Sequence, residues 1–385
     1  MSASDATLRA WAYLSRVAEP PRPDLAALVE RFGPIEAAQR IRCGAVDPKL
    51  AKHTETRREI DRTTGDLELL ARRGGRLITP DDDEWPSRAF AAFGAASGKK
   101  RDCRPPLVLW ALGPARLDET AGRAVAIIGT RAATAYGEMV AADLAAGLAE
   151  REMAVISGGS YGIDGAAHRG ALASDGTTVA VLAGGIDISS PAGHSALLYR
   201  IGQHGLLVTE YPPGFRPLGY RFLTRNRLVA ALARATVVVE AGLRSGTANT
   251  VGWARLLGRP VAAVPGPVTS AASAGCHVLL RAGAALVTRA EEVIELAGRI
   301  GELAADPPRP ATPLDGLSVV QRQVYEALPG RGAVTVDQIA VACGLAPAQV
   351  FGPLAILEVA GLVQRRDGSW GTSATTATVP KPISR

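Results

Sequence analysis

The spacing of apolar and polar positions changes rhythm twice along the chain. Over 7–73 the apolar residues recur at helical intervals: Leu8, Trp11, Ala12, Leu14 and Val17, then Leu25, Leu28, Val29 and Phe32. That period places one face of each helix on a core. Gly33-Pro34 and Gly44 punctuate the helices, and 1–73 is expected to form a small helical domain. A bridge over 74–122 carries two short strand patterns, RLITPDDDEWP and PPLVLWALGP, each closed by turn residues. From Arg123 strand and helix patterns alternate. AVAIIG (124–129) is followed by a helix over 134–150, MAVIS (153–157), a glycine-rich turn and a helix near 164–173; TTVAVLAGG, LLVTE, TVVVE, VAAVPG and ALVT continue the series. Most of these runs are apolar without alternation, so both faces of each strand are covered. The expected fold is α/β: a Rossmann-like, doubly wound, mostly parallel sheet over 74–304, with the strand C-terminal ends and their loops on one rim.

A second change follows the Pro-rich linker 305–316, ADPPRPATPLDG. In 317–371 Ser318 opens one helix, Thr335-Val336-Asp337-Gln338 forms a capping box for a second, and Pro347 suits the first turn of a third. Asp367-Gly368 is a hairpin-turn dipeptide between two short strands. Helix, helix, helix, hairpin is the winged-helix order. The tail 372–385 is low in complexity and expected to be disordered.

Charge sharpens the picture. Residues 205–260 hold eight Arg, no Lys and two acids, Glu210 and Glu240, for a net charge of +6, equal to that of the whole chain. Guanidinium forks match phosphate oxygens in pairs, which suggests an anionic partner. The four cysteines, Cys43, Cys103, Cys276 and Cys343, have neither metal-ligand nor redox spacing. No signal-peptide pattern opens the sequence, and no apolar run approaches the roughly 18 residues that span a bilayer. A reduced, cytoplasmic protein without membrane or cofactor is the expectation.

Four turns gather on the rim: Gly129-Thr130-Arg131; Ser157-Gly158-Gly159-Ser160-Tyr161-Gly162-Ile163-Asp164-Gly165; Gly184-Gly185; and Arg244-Ser245-Gly246-Thr247-Ala248-Asn249. Glycine admits close backbone approach, and helix N-terminal N–H groups attract phosphate. Glycines also serve simply to close tight βα turns, but four such turns facing an arginine-rich segment favour a phosphate site. The chain has no GxxxxGK[ST], which disfavours a P-loop NTPase, and its first turn lacks GxGxxG, which disfavours a dinucleotide enzyme. Asp164 and His168, four apart on one helix face, are expected to be structural: Asp caps and His bonds nearby polar groups. His194, His204 and His277 are assigned packing or surface roles. The acids Asp81 to Glu84 are expected to be exposed rather than metal-binding, and Lys49, Lys52, Arg57 and Arg58 to form a solvated helix face. Tyr220-Arg221-Phe222-Leu223-Thr224-Arg225-Asn226-Arg227 interleaves aromatics with arginine, as single-strand binders do. Phe222 is either a stacking platform or a core residue.

At these residues the chain resembles the DNA-processing protein A (DprA/Smf) family. The likeness covers about 85–371 and rests on AIIGTRAATAYG, SGGSYGIDGAAHRGAL, TVAVLAGGID, GLLVTEYPPG, RFLTRNRLVAALA, VVVEAGLRSGTANT, VPGPVTSAASAG and LLRAGAALV. The resemblance implies an extended Rossmann domain that binds single-stranded DNA as a dimer and hands it to the recombinase RecA in transformation or recombination. It also implies an N-terminal helical domain of SAM or helix-hairpin-helix type and a C-terminal winged helix. Carried onto this sequence, Arg131 grips DNA phosphate and Gly158 and Gly159 admit the backbone. Phe222, Arg225, Asn226 and Arg227 match the family's F-P-x-R-N-R motif beside Arg221. Arg244, Ser245, Gly246, Thr247 and Asn249 complete the pocket. Leu223 stands where the family has Pro, Ser190-Pro191 replaces Tyr-Pro, His194 replaces Asn, and Thr209-Glu210 replaces Ser-Glu.

Two rival readings have discriminating features. A nucleotide phosphoribohydrolase of related architecture carries a glutamate in P-G-G-x-G-T-x-x-E, where this chain has Thr250; without that carboxylate the cradle lacks obvious bond-breaking chemistry. A winged-helix transcription regulator needs cationic or amide groups on its recognition helix. Residues 317–371 instead hold four Arg against four acids, and PAQVFGPLAILEVA has neither Lys nor Arg. The sequence therefore points to a binder of single-stranded DNA, largely indifferent to base sequence.

Overall fold

The computed structural model describes residues 5–100, 102–243, 245–299, 301–304 and 314–373. The chain divides into two compact bodies at Ala305/Asp306.

In the larger body four helices lead: α1 (Asp5–Val17), α2 (Pro23–Arg42, kinked at Gly33), α3 (Pro48–Thr54) and α4 (Thr63–Arg72). β1 (Gly75–Ile78), α5 (Ser87–Ala95), β2 (Leu109–Leu112) and α6 (Leu117–Gly122) form the bridge. The alternating part follows: β3 (Ala124–Ile128), α7 (Ala135–Ala149), β4 (Ala154–Ser157), α8 (Ile163–Ala173), β5 (Thr178–Val181), α9 (Ser195–His204), β6 (Leu206–Thr209), α10 (Gly219–Leu232), β7 (Ala235–Val238), α11 (Thr247–Leu256), β8 (Val261–Ala263), α12 (Ala274–Arg281), β9 (Ala285–Leu286) and α13 (Ala290–Ala297).

The nine strands form one sheet in the order β1-β2-β6-β5-β4-β3-β7-β8-β9. The bridge strands pair antiparallel at one edge, and every pairing from β6 to β9 is parallel. The period-2 geometry of a strand sends alternate residues to opposite faces. Ala124, Ala126 and Ile128 join the core beneath α10, α11 and α5, while Val125 and Ile127 join that beneath α7, α8 and α13. Both cores are clusters of buried apolar side chains, which explains the continuous apolar runs.

Trp11, Leu14, Leu25 and Ile41 share a third core with Trp110 of β2, Ala180 of β5 and Leu207 of β6. Burying each leucine-sized side chain contributes about 1.5–3 kcal/mol. Helices α1 to α4 are thus a layer of the larger body, continuous with its sheet. Of the bridge acids Asp81 and Asp83 are exposed as expected, but Asp82 accepts from the Thr79 amide and hydroxyl at 2.8 Å each, and buried Glu84 takes a two-pronged Arg76 at 2.5 and 2.6 Å. The basic face read at Lys49, Lys52, Arg57 and Arg58 also changes, since Arg57 bonds Glu19 at 2.7 Å.

The chain starts the alternating part at the sheet centre and runs outward through β4, β5 and β6. It then returns along α10 to β7 on the other side of β3. Consecutive loops diverge where the strand order reverses, and a crevice opens there at the strand C-terminal ends.

The smaller body has α14 (Val319–Glu326), α15 (Val336–Cys343), α16 (Pro347–Val359) and the hairpin β10 (Val363–Arg366) and β11 (Ser369–Thr372). Ser318 and Thr335 both form complete capping boxes, and Arg366 pairs with Ser369 across Asp367-Gly368. Much of the linker and tail (305–313 and 374–385) lies outside the described residues. Among the described residues no single helix is long and apolar enough to cross a membrane.

Candidate nucleic-acid interface

The crevice at the reversal point has a volume of about 540 Å³, within the range of small-ligand sites. Three turns and one helix build it. The turn after β3 brings Gly129, Thr130 and Arg131; the turn after β4 brings Gly158 and Ser160; the segment after β7 brings Gly242, Ser245, Gly246 and Thr247; α10 closes the fourth side.

α10 presents Phe222, Leu223, Arg225, Asn226 and Val229 to the crevice. Phe222, Arg225, Asn226 and Val229 are i, i+3, i+4 and i+7, one stripe of an α-helix, and exposed Leu223 stands at its edge. Arg227 lies off that stripe. Its guanidinium is wholly buried and donates to both Glu210 oxygens at 2.7 and 2.8 Å. Arg221 is turned toward α1, where it donates to Glu19 at 2.5 and 3.2 Å and lies over the rings of Phe215 and Tyr211. Burial pushes the Glu19 carboxyl up, and hydrogen bonds from Arg221 and Arg57 outweigh it, leaving it below the usual carboxylate range. Arg221 and Arg227 are therefore framework, contrary to the expectation that both would face the ligand.

Arg225 does line the crevice, but from within the wall. Its Nη1 donates to the carbonyls of Gly158 and Val181. Burial pulls its pKa to about 10, against the favourable field of Asp164. Gly158 is required for this approach: a Cβ there would stand 2.6 Å from the Arg225 guanidinium carbon. Arg131 is exposed, with its guanidinium 5.1 Å from the Phe222 ring centre. Phe222 is half-buried and belongs to none of the buried apolar clusters, so it is a crevice wall and not core.

Ser245, Gly246 and Thr247 open α11, whose N-terminus has no side-chain cap. The Ala248 and Asn249 amides bond back to the Ser245 and Gly246 carbonyls at 3.3 and 3.1 Å, and the positive end of the helix dipole, which favours an anion, lies at the crevice. Asn249 does not line the crevice; its Oδ1 accepts from the Asn226 amide at 3.3 Å and fixes that side chain. Gly159 does not line it either, and its carbonyl accepts from His194 Nδ1 at 3.1 Å. Arg244 lies outside the described residues. The turns at Gly184-Gly185 are likewise absent from the lining.

Two acids matter that the sequence reading left aside or assigned elsewhere. Buried Glu240 accepts the Thr134 hydroxyl at 2.6 Å and the Thr134 amide at 2.9 Å, and its carbonyl accepts the Thr130 amide at 2.7 Å. It ties down both ends of the turn that carries Arg131. The signal was present: it is one of only two acids in the arginine-rich stretch. Asp164 lines the crevice while nearly buried, and its Oδ2 accepts the Ser160 amide at 3.2 Å. Burial raises its pKa, with Arg225 opposing. His168 is separate from it. The Thr178 hydroxyl donates to the Val155 carbonyl at 3.0 Å and so accepts from His168 Nδ1 at 2.7 Å. Burial drives the imidazole pKa down to about 3, keeping it neutral.

Residues 76–298 match the family model described as DNA recombination-mediator protein A, and 305–369 match the DprA winged helix domain. A putative DNA processing protein DprA of Mycobacterium tuberculosis is 73% identical over 367 residues, spanning 95% of this chain and 94% of that protein. The DNA processing protein DprA of Streptococcus pneumoniae is 37% identical over 222 residues, 55% of this chain and 77% of that protein. The X-ray structure of DprA from Streptococcus pneumoniae superposes with a TM-score of 0.63 at 27% identity, covering 78% of this chain and 100% of that one.

Proposed function

We propose, from the premise that the chain belongs to the DNA recombination-mediator protein A family, that the crevice is its docking site for single-stranded DNA. One observation carries the reading: exposed Arg131, the half-buried Phe222 ring and the uncapped α11 N-terminus border the same opening. Arg131 and the positive end of the α11 dipole suit phosphate, and Phe222 offers a flat face to an unstacked base. Duplex DNA keeps its base faces inside the stack, so the same surface favours single strands.

The site is a binder. A glycosidic-bond hydrolase places two carboxylates about the scissile bond; among the described lining residues Asp164 is the one carboxylate, and Thr250 is buried at the position of the hydrolase glutamate. Nucleoside monophosphates are therefore expected to survive incubation with the protein, and release of free base would reverse this conclusion. Loading of RecA and a homodimer complete the proposal; the first is read from RecA strand exchange on coated DNA, the second from sedimentation.

The deciding experiment is a titration of single-stranded and duplex oligonucleotides at two salt concentrations. Tighter binding of the single strand, weakening steeply with salt, is the expected result. Equal or tighter binding of duplex would reject the site.

A further inference from the structure

The first turn of α10 is gripped from outside the sheet. α10 has no side-chain cap and no acid in that turn, so the usual local devices for fixing a helix start are missing. Yet the turn carries Tyr220, Arg221 and Phe222, and Phe222 walls the crevice. What holds it comes from the N-terminal layer. Glu19, two residues past α1, accepts from Arg221 Nη2 at 2.5 Å and from its Nε at 3.2 Å. Arg221 Nη1 donates to the Arg216 carbonyl at 2.6 Å. The guanidinium lies 5.0, 4.9 and 5.6 Å from the ring centres of Tyr211, Phe215 and Tyr220.

The loop leading into α10 is held by the same layer. Phe215 also meets the guanidinium groups of Arg16 at 5.2 Å and Arg57 at 4.9 Å. Arg16 donates to the Pro213 carbonyl at 2.7 Å. Three cations around one ring need counter-charge. Asp66 answers Arg16, and Glu19 answers both Arg57 and Arg221. Among the described residues Glu19 is the one carboxylate that ion-pairs with either of them. A two-pronged arginine–carboxylate bond fixes direction as well as distance, so Glu19 sets where Arg221 stands. One turn further on, Asn226 and Arg225 have anchors of their own in Asn249 and in the Gly158 and Val181 carbonyls. The grip of Glu19 therefore falls on Phe222.

We propose that Glu19 is a positioning residue for single-strand binding, orienting the Phe222 ring through Arg221. The inference rests on the single-strand reading above and deepens it. It gives the N-terminal helical layer a part in a crevice that the layer does not itself line.

The test titrates the full chain with oligo-dT at several salt concentrations. Glu19→Gln keeps the side chain's shape and removes its charge. It is expected to weaken binding about fivefold, the lower end of what one stacked base contributes. The log–log salt slope stays unchanged, because no phosphate contact is lost. In a Phe222→Ala background the same substitution should change affinity by less than about twofold, while in an Arg131→Ala background the loss of about fivefold should persist. A merely structural role would move all three backgrounds alike. Arg221→Lys is the second variant, since an ammonium cannot reproduce the two-pronged bond to Glu19; the same pattern is expected, and it decides if Glu19→Gln does not fold. Unchanged affinity in the folded variant, an equal loss in the Phe222→Ala background or an altered salt slope overturns the inference and leaves the single-strand site standing. Failure of wild type to bind any single strand rejects the underlying site and this inference with it.

Discussion

Arg227 and Glu210 form a closed, two-pronged ion pair with essentially no solvent exposure, inside the most basic stretch of the chain. An arginine whose sequence context offers charge to a ligand is instead neutralised within the fold. Removing one partner strands a buried charge, at a cost of about 3–5 kcal/mol. Arg227→Met is therefore expected to lower the urea midpoint sharply. Arg131→Ala, at an exposed position, is expected to leave it within about 0.5 kcal/mol of wild type.

The same contrast reverses for DNA. Arg131→Ala should weaken single-strand binding by about 1–3 kcal/mol and reduce the log–log salt slope by about 0.7. Phe222→Ala should weaken it by about 1–3 kcal/mol with the slope unchanged, because stacking releases no counterion. Titrations at several salt concentrations separate the two; an unchanged slope in folded Arg131→Ala takes that residue out of the site.

Glu240 should act through Arg131. Glu240→Ala frees the Thr134 anchor of the turn and costs about 1.5–3 kcal/mol of stability for lost bonds to a charged acceptor. In DNA binding the double variant with Arg131→Ala is expected to be no weaker than Arg131→Ala alone, since both remove one contact. Additive losses would mean that Glu240 supports some other part of the crevice.

His168 gives stability a pH dependence. Its folded pKa of about 3 lies below the unfolded value near 6.5. Between those values the unfolded chain binds more protons, so this contribution rises with pH across the window and is level above 6.5. Asp164 works the other way: burial raises its pKa, so its contribution falls as pH climbs past about 3.8. His168→Gln isolates the first effect. The stability difference between wild type and this variant should shrink by up to about 1.4 kcal/mol per pH unit from 6.5 toward 4 in denaturant melts; a constant difference would show that the imidazole titrates normally.

Contacts of the proposed kind, through Arg131, α11 and the Phe222 face, carry no base code. The place of Asp164 at the start of α8 suggests a helix cap, but α8 has no side-chain cap; the carboxylate instead holds the Ser160 amide of the preceding turn and borders the opening built by β3, β7 and α10.

Some features follow from residue order alone, because they are local. Uninterrupted apolar runs fix strands buried on both faces, Ser318 and Thr335 fix helix starts through bonds three residues long, and Asp367-Gly368 fixes a hairpin. The phase of α10 is also local, and it already separates Phe222, Arg225 and Asn226 from Arg227. The partners of the arginines are not local. Glu19 reaches Arg221 from 202 positions away, and Val181 and Gly158 meet Arg225 only once β4 and β5 lie side by side. A guanidinium looks the same in sequence whether it awaits a phosphate or is consumed by a carboxylate. Burial and distance decide between the two, and both come into being only when the sheet closes.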